Sequence, residues 1–328
     1  MHSHRFLSKA VTFLIATMFS ISGVAALAED GTSGLPPDAI LSCQIVAAEW
    51  TGETAQASPV ASPVASPAAT PVSADSTPMA SPVAEETIDP LTADLIDASG
   101  SILDCMSENN LDVLTAVTGP EFRGTWLGFG GNVSNTDLAT ILPMMPRLPY
   151  ALAGLENASA NGDTATATVN YTVGNQLLSS DWTFALKDVN GTKVWVVQSE
   201  ALKTATAPEG AVNVDVTIAD GSYTFSSNTI QGTDAVLNVT NSAERPHEVL
   251  IMRVPEGTDA EAITSAPNGI PEGGTFVAQA TVSAGATGQV ILTDLQPGTY
   301  TVVDLLPNAD GIPNISNGMM TTFEVTAP

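Results

Sequence analysis

At 328 residues the chain is long enough for two domains beside targeting and linking segments, at roughly 100–200 residues per domain. Its 35 acidic and nine basic residues give a net charge of −26. The bases stand singly, so the clustered cations that attract nucleic-acid backbones or anionic lipid are excluded, and the negative excess serves solubility and self-repulsion.

Residues 1–28 combine a basic start (Arg5, Lys9), an apolar run from Val11, and small residues at Ala26 and Ala28. That is the pattern of a signal peptide cut after Ala28, and the run is short for a membrane span of ~20 residues. No later segment reads as a membrane span. The mature chain is therefore expected to be secreted or extracytoplasmic, at a bacterial cell surface. Cleavage removes two bases and no acid, takes the charge to −28, and leaves His247 as the only imidazole.

Cys43 and Cys105 are the only cysteines, and in an exported chain a lone pair reads as a structural disulfide rather than a redox or metal pair. Residues 29–54 form an N-terminal segment in which LPPDAILSCQIVAAEW reads as a short helix capped by Asp38. Residues 55–88 follow, with Ser-Pro-Val-Ala recurring at Ser58, Ser62 and Ser81. Proline at that frequency removes donors and favours extended geometry, so this reads as a disordered, semi-stiff linker that a disulfide would loop out.

The first domain is expected over residues 89–203. Leu91, Leu95, Ala98, Ile102 and Met106 fall at helical spacing, with Asp97, Ser101, Asp104 and Glu108 opposite. A second helical piece, NLDVLTAVTGPEF, ends near Gly119-Pro120, and a third starts at Ser134 or Thr136 and runs through DLATILPMM. Three helices thus precede the strands. In TATATVNYTV, alternate residues from Ala165 to Val173 are apolar, and SDWTFALKD puts Trp182, Phe184 and Leu186 on one face. A turn at Asn190-Gly191 leads to KVWVVQSE.

Helices followed by a sheet with the hairpin W-x-F-x-L … N-G-x-x-W-x-V, residues 182–196, resemble the nuclear transport factor two superfamily. Its cone-shaped α+β fold includes SnoaL-like cyclases and ketosteroid isomerase. The resemblance covers residues 89–202 and implies an acid or base inside the cone, because proton abstraction beside a carbonyl needs one in a dry pocket. This domain has no histidine. Asp181 is the only carboxylate in the patterned part of the sheet, and alternation puts it opposite the Trp182 face, in solvent. Trp126, Met144, Tyr171, Trp182 and Phe184 are ligand-pocket candidates, with Phe129, Met145 and Tyr150 beside them; the competing reading is plain core.

From about residue 209 the text changes to short strands punctuated by Gly and Pro: VNVDVTI, SYTF, AVLNVTN, HEVLIMRV, TGQVILTD, GTYTVVDLL and MTTFEVTAP. This reads as an all-β Greek-key sandwich over residues 209–328. The motifs VTNSAERPHEVLIMRV, LQPGTYTVV and NGMMTTFEV resemble cupredoxins, the blue-copper fold. That resemblance implies ligands at His247, at a cysteine position now Asp304, at a histidine position matching Asn314, and at an axial methionine, Met319. Blue copper needs a thiolate and two imidazoles in a near-trigonal plane. The degenerate set therefore implies a metal-free loop, with a loose Cu(II) site at His247 and Asp304 as the alternative. A Ser-His-Asp triad would have to use the same His247. The string NADG, residues 308–311, lacks the alternating carboxylates of a calcium loop and reads as a turn. No catalytic residue emerges. The expectation is a non-catalytic binding or interaction protein with an extracellular or cell-surface partner, set against a copper-binding protein or a cone-domain enzyme or lipophilic-ligand carrier.

Overall fold

The computed structural model describes residues 43, 45, 46, 48, 88–189, 191–266 and 269–328. The signal peptide and the Pro-rich segment lie outside them, as does Asn190 of the expected hairpin turn. The four described residues of the expected N-terminal helix are not helical.

Four helices open the N-terminal domain, one more than the sequence suggests. Helix α1, Pro90–Ser107, starts at the N-cap Asp89, whose side chain accepts from Thr92 N, and buries Leu95, Ala98, Ile102 and Met106. Helix α2, Leu111–Val117, is capped by Asn110. Helix α3, Pro120–Trp126, was unexpected; Pro120 begins it, its fixed φ and absent N–H being suited to a first helical position. Helix α4, Asn135–Ile141, carries a capping box between Ser134 and Asp137, and a short 3-10 turn, Leu142–Met144, follows.

The antiparallel meander then runs β1 (Tyr150–Asn161), β2 (Thr164–Val173), β3 (Gln176–Val189) and β4 (Thr192–Lys203). Strand β1 was not foreseen, because YALAGLENASAN lacks apolar alternation and carries two register shifts against β2. The helices close one face of this sheet over a core of Leu95, Phe122, Trp126, Tyr171, Trp182 and Phe184. The Gly119 N–H donates to Val197 O at 2.6 Å and pins the junction of α2 and α3 to β4.

The C-terminal domain is a sandwich. Its strands are β5 (Val212–Ala219), β6 (Ser222–Phe225), β7 (Thr229–Gln231), β8 (Ala235–Asn241), β9 (His247–Arg253), β10 (Thr275–Val282), β11 (Thr287–Leu292), β12 (Gly298–Val303) and β13 (Met320–Thr326), with helix α5 (Ala260–Ser265) between β9 and β10. Strands β11-β8-β5-β6 form one layer and β10-β9-β12-β13-β7 the other. The run HEVLIMR is apolar throughout because β9 is covered on both sides: Val249 and Ile251 enter the main core, while Leu250 and Met252 pack with Ile263 of α5. Among the described residues, no helix is long and apolar enough to cross a membrane.

The two domains share a sheet. The start of β3 pairs with the end of β11 at Gln176 and Leu292, so β1-β2-β3 continue into β11-β8-β5-β6. The turn before β3 is built for this seam. Asn175 N donates to Val277 O at 2.8 Å, Thr293 N donates to Asn175 O at 2.9 Å, and the Asn175 carboxamide donates to Thr293 O at 2.9 Å. Gly174 has φ +63°, and a Cβ there would lie 2.6 Å from Val277 O. Gly162, in the β1–β2 turn, has φ +58° with open space around it. Gly162→Ala should cost about 1 kcal/mol from the left-handed backbone alone. Gly174→Ala should cost at least about 1 kcal/mol more, because it also pries the seam open. Denaturant unfolding of both variants tests this, and equal losses would show that the seam contributes nothing.

Candidate functional site

Strands β9, β12 and β13 deliver the four degenerate copper positions to one pole of the sandwich. His247 opens β9, Asp304 follows β12, Asn314 begins a short 3-10 turn, and Met319 precedes β13. The loop between Asp304 and Met319 is tied to itself by backbone bonds from Asp304 N to Met319 O (3.2 Å), Ile315 N to Asp304 O (2.8 Å) and Met319 N to Asn314 O (3.2 Å). The NADG stretch is a turn, with the Asn308 side chain accepting from Asp310 N and Ile312 N.

Three of the four side chains meet at one carboxylate. His247 Nδ1 lies 2.6 Å from Asp304 Oδ2, and Asn314 Nδ2 donates to the same oxygen at 3.0 Å. Leu306 N donates to Asp304 Oδ1 at 2.8 Å. Asp304 is fully buried; burial raises its pKa, while His247, Leu306 N–H and Asn314 hold it down. His247 Nε2 is buried without a hydrogen bond, 3.8 Å from Asp220 Oδ1. Met319 is fully buried in the sandwich core. The donor set does not fit blue copper: it offers no thiolate and one imidazole, whose Nδ1 is engaged by a carboxylate. Among the described residues no three His, Cys, Asp or Glu side chains are grouped to hold an ion.

Beside this pole lies Glu248, 3 % exposed. Its Oε1 accepts from Gln279 Nε2 and its Oε2 from Leu305 N at 3.2 Å. Burial pushes the carboxyl up to about 7, with Gln279 and the Leu305 N–H opposing and Asp304 adding to the rise. The Tyr223 hydroxyl donates to Glu248 O, and its pKa is held well above the usual phenol range by burial and by Asp304 and Glu248.

The interior of the cone domain holds a second cluster. Trp182 touches Phe122 edge-on (5.1 Å between centroids), Tyr171 (6.0 Å) and Phe184 (5.9 Å). Trp126 Nε1 donates to the Tyr150 hydroxyl at 3.1 Å. Met145 is buried near this cluster's edge, whereas Met144 and Phe129 are 46 % and 56 % exposed and point into solvent. Asp181 stands on the outer face, bonded to Lys203 (3.0 Å) and Thr168 (2.7 Å).

Sequence reading overlooked Glu200. Strict alternation from Val197 would turn residue 200 outward. A bulge between Thr183 and Phe184 of β3 instead leaves Gln198 unpaired on β4, so Val197 faces Phe184 and Glu200 faces Trp182, both inward. Asp181 is thus not the only carboxylate of the sheet that matters. Burial pushes Glu200 up to about 7, against Ser180 and Trp182, which hold it down. Ser180 Oγ and Trp182 Nε1 are themselves buried without a well-formed hydrogen bond. Tyr150 is pushed up to about 12 and Tyr171 well above 10, first by burial and in part by Glu200.

Glu200 and Glu248 both bind protons more tightly folded than unfolded, where 4.5 is the ordinary value. Their contribution to stability is complete below about pH 4.5 and is lost as pH rises through about 7. Chemical unfolding over this range should show the decline. Glu248→Gln should flatten the profile by roughly 3 kcal/mol across it; an unchanged slope would mean that Glu248 is not a buried acid.

No protein-family model matches the sequence, and no curated protein does. Among solved structures, the chain is similar to reduced auracyanin from the photosynthetic bacterium Roseiflexus castenholzii, at 19% identity over 36% of this chain and 99% of that one, with a TM-score of 0.26. It is also similar to a candidate ketosteroid isomerase from Kribbella flavida (18% identity, 37% of this chain, 85% of that one, TM-score 0.24). An LEH-like epoxide hydrolase from M. tuberculosis matches at 18% identity over 34% of this chain and 84% of that one, with a TM-score of 0.22.

Proposed function

We propose that this chain is an exported, non-catalytic binding protein in which the sandwich is a metal-free scaffold and the cone domain carries the ligand. One observation supports the metal-free half above all: the Asp304 carboxylate, held by His247, Asn314 and Leu306 N–H, is placed where a ligand set would have to converge. The imidazole–carboxylate–carboxamide cluster engages His247 Nδ1, both Asp304 oxygens and the Asn314 carboxamide with one another, so these atoms are not free to bind an ion. Export is supported by the leader pattern of residues 1–28 and by the Cys43–Cys105 disulfide, a bond that persists outside the reducing cytosol.

Glu200 favours the cone domain as the binding half. A carboxyl on the inner face of the sheet, set against Trp182 and pushed up by burial, is an acid inside the cone of the kind a ligand could meet. The ligand's identity is open on this reading, and the partner lies outside the cell.

Calorimetric titration of the mature protein with Cu(II) tests the scaffold half. The expected result is no stoichiometric tight binding and no intense visible thiolate-to-copper band. A one-to-one complex that His247→Ala abolishes would overturn it in favour of a copper protein. Small molecules released by denaturing the purified protein and identified by mass spectrometry test the carrier half.

A further inference from the structure

We infer that Met144 is a modification site: hydroperoxides oxidise its thioether to the sulfoxide ahead of every other described methionine, and it serves as an oxidant sink whose turnover leaves the fold intact. This stands whichever domain carries a ligand.

The first step is to set aside the other oxidisable groups. Both cysteines are locked in the Cys43–Cys105 disulfide, so no thiol competes for the oxidant. The indoles of Trp126, Trp182 and Trp195 and the imidazole of His247 are each less than a tenth exposed. Met106, Met252 and Met319 are 2 %, 0 % and 0 % exposed and belong to the hydrophobic cores. Met320 is half-buried and packs against the small cluster of Leu250, Met252 and Ile315. Met144 is 46 % exposed, whereas its neighbour Met145 is 8 % exposed. Susceptibility of a methionine follows its access to the oxidant, so among the described residues Met144 is the first thioether that a peroxide meets.

The second step is the backbone that presents it. Met144 ends the 3-10 turn Leu142–Met144, whose buried residue is Leu142. Met145 N donates to Leu142 O at 3.1 Å, and Asn109 Nδ2 donates to Met145 O at 3.1 Å, so the turn is held from both sides by groups that do not involve the Met144 side chain. That side chain belongs to none of the three hydrophobic clusters. The third step is the chemistry. The Met144 Sδ lone pair attacks one peroxide oxygen; an S–O bond forms, the O–O bond breaks, the sulfur loses two electrons, and the departing oxygen leaves as water with the peroxide's protons. A sulfoxide is polar and disrupts a core, but at Met144 it faces water and displaces no packed neighbour. A thiol-dependent reductase reverses the step, releasing the oxygen as water while two thiols close to a disulfide.

The test treats the full mature protein with hydrogen peroxide and follows oxygen uptake at each methionine by peptide mass spectrometry, with fragmentation to separate Met144 from Met145. Met144 should gain its oxygen at least about tenfold faster than Met106, Met145, Met252, Met319 and Met320. In guanidinium, where the fold is gone, the rates should converge. Met144→Leu, a swap of similar volume, should lose the fast phase. Equal rates at Met144 and Met145 in the folded protein, a lead by any other of these methionines, or the same selectivity in guanidinium overturns the site. The sink is tested on protein oxidised at Met144 alone: its denaturant midpoint should match that of the untreated protein, and treatment with methionine sulfoxide reductase should remove the oxygen. A lowered midpoint, or a sulfoxide that the reductase leaves in place, overturns the sink while the site stands.

Discussion

Removing a carboxylate from water costs several kcal/mol unless donors replace the lost hydration. A chain with 35 acids and few bases must solve that problem largely without salt bridges. It does so differently at Asp304, Glu248 and Glu200. Asp304 has an imidazole, a carboxamide and a backbone N–H, a nearly complete shell. Glu248 has a carboxamide and one backbone N–H. Glu200 has two neutral side-chain neighbours, Ser180 and Trp182, that hold its pKa down against burial. The number of donors thus falls from the sandwich pole to the cone interior.

Hydrogen bonds connect the pole to the cone. Gln176, the residue that joins β3 to β11, accepts from Gln279 N at 2.9 Å through its side chain. Gln279 in turn donates to Glu248, and Glu248 accepts from Leu305 N, the residue after Asp304. A continuous set of hydrogen bonds thus runs from the first domain to the loop that the cupredoxin resemblance marks as metal-binding. The network thus reaches the residue next to Asp304, whose own carboxylate is held by His247, Asn314 and Leu306 N–H.

Much of this was legible. Alternation alone located β2, the Trp182–Phe184 face and most sandwich strands, because each has one buried side and the period of two leaves a clear trace. The motif resemblance placed His247, Asp304, Asn314 and Met319 at one pole, but residue spacing could not show that the first three share a single oxygen. What escaped did so for local reasons. Strand β1 lacks alternation because its small residues leave much of one face exposed. Helix α3 hid behind a proline that reads as a stop and acts as a start. Glu200 hid behind one bulged residue, Gln198, which reverses the facing of everything after it. A period-two argument fails by a whole face when one residue is inserted, and here that residue separates a surface acid from an interior one.

The disulfide ties the residues ahead of α1 to the first domain. Cys43 is bonded to Cys105 of α1, and Ala48 N donates to Lys193 O of β4 at 2.8 Å. Both contacts join residues 43 and 48 to the first domain. Closing a loop of this length restricts the unfolded chain by about 4 kcal/mol in the chain-entropy model. That term falls on the domain whose sheet carries Glu200. Stability supplied by a covalent link adds to the packing inside the cone and does not depend on it.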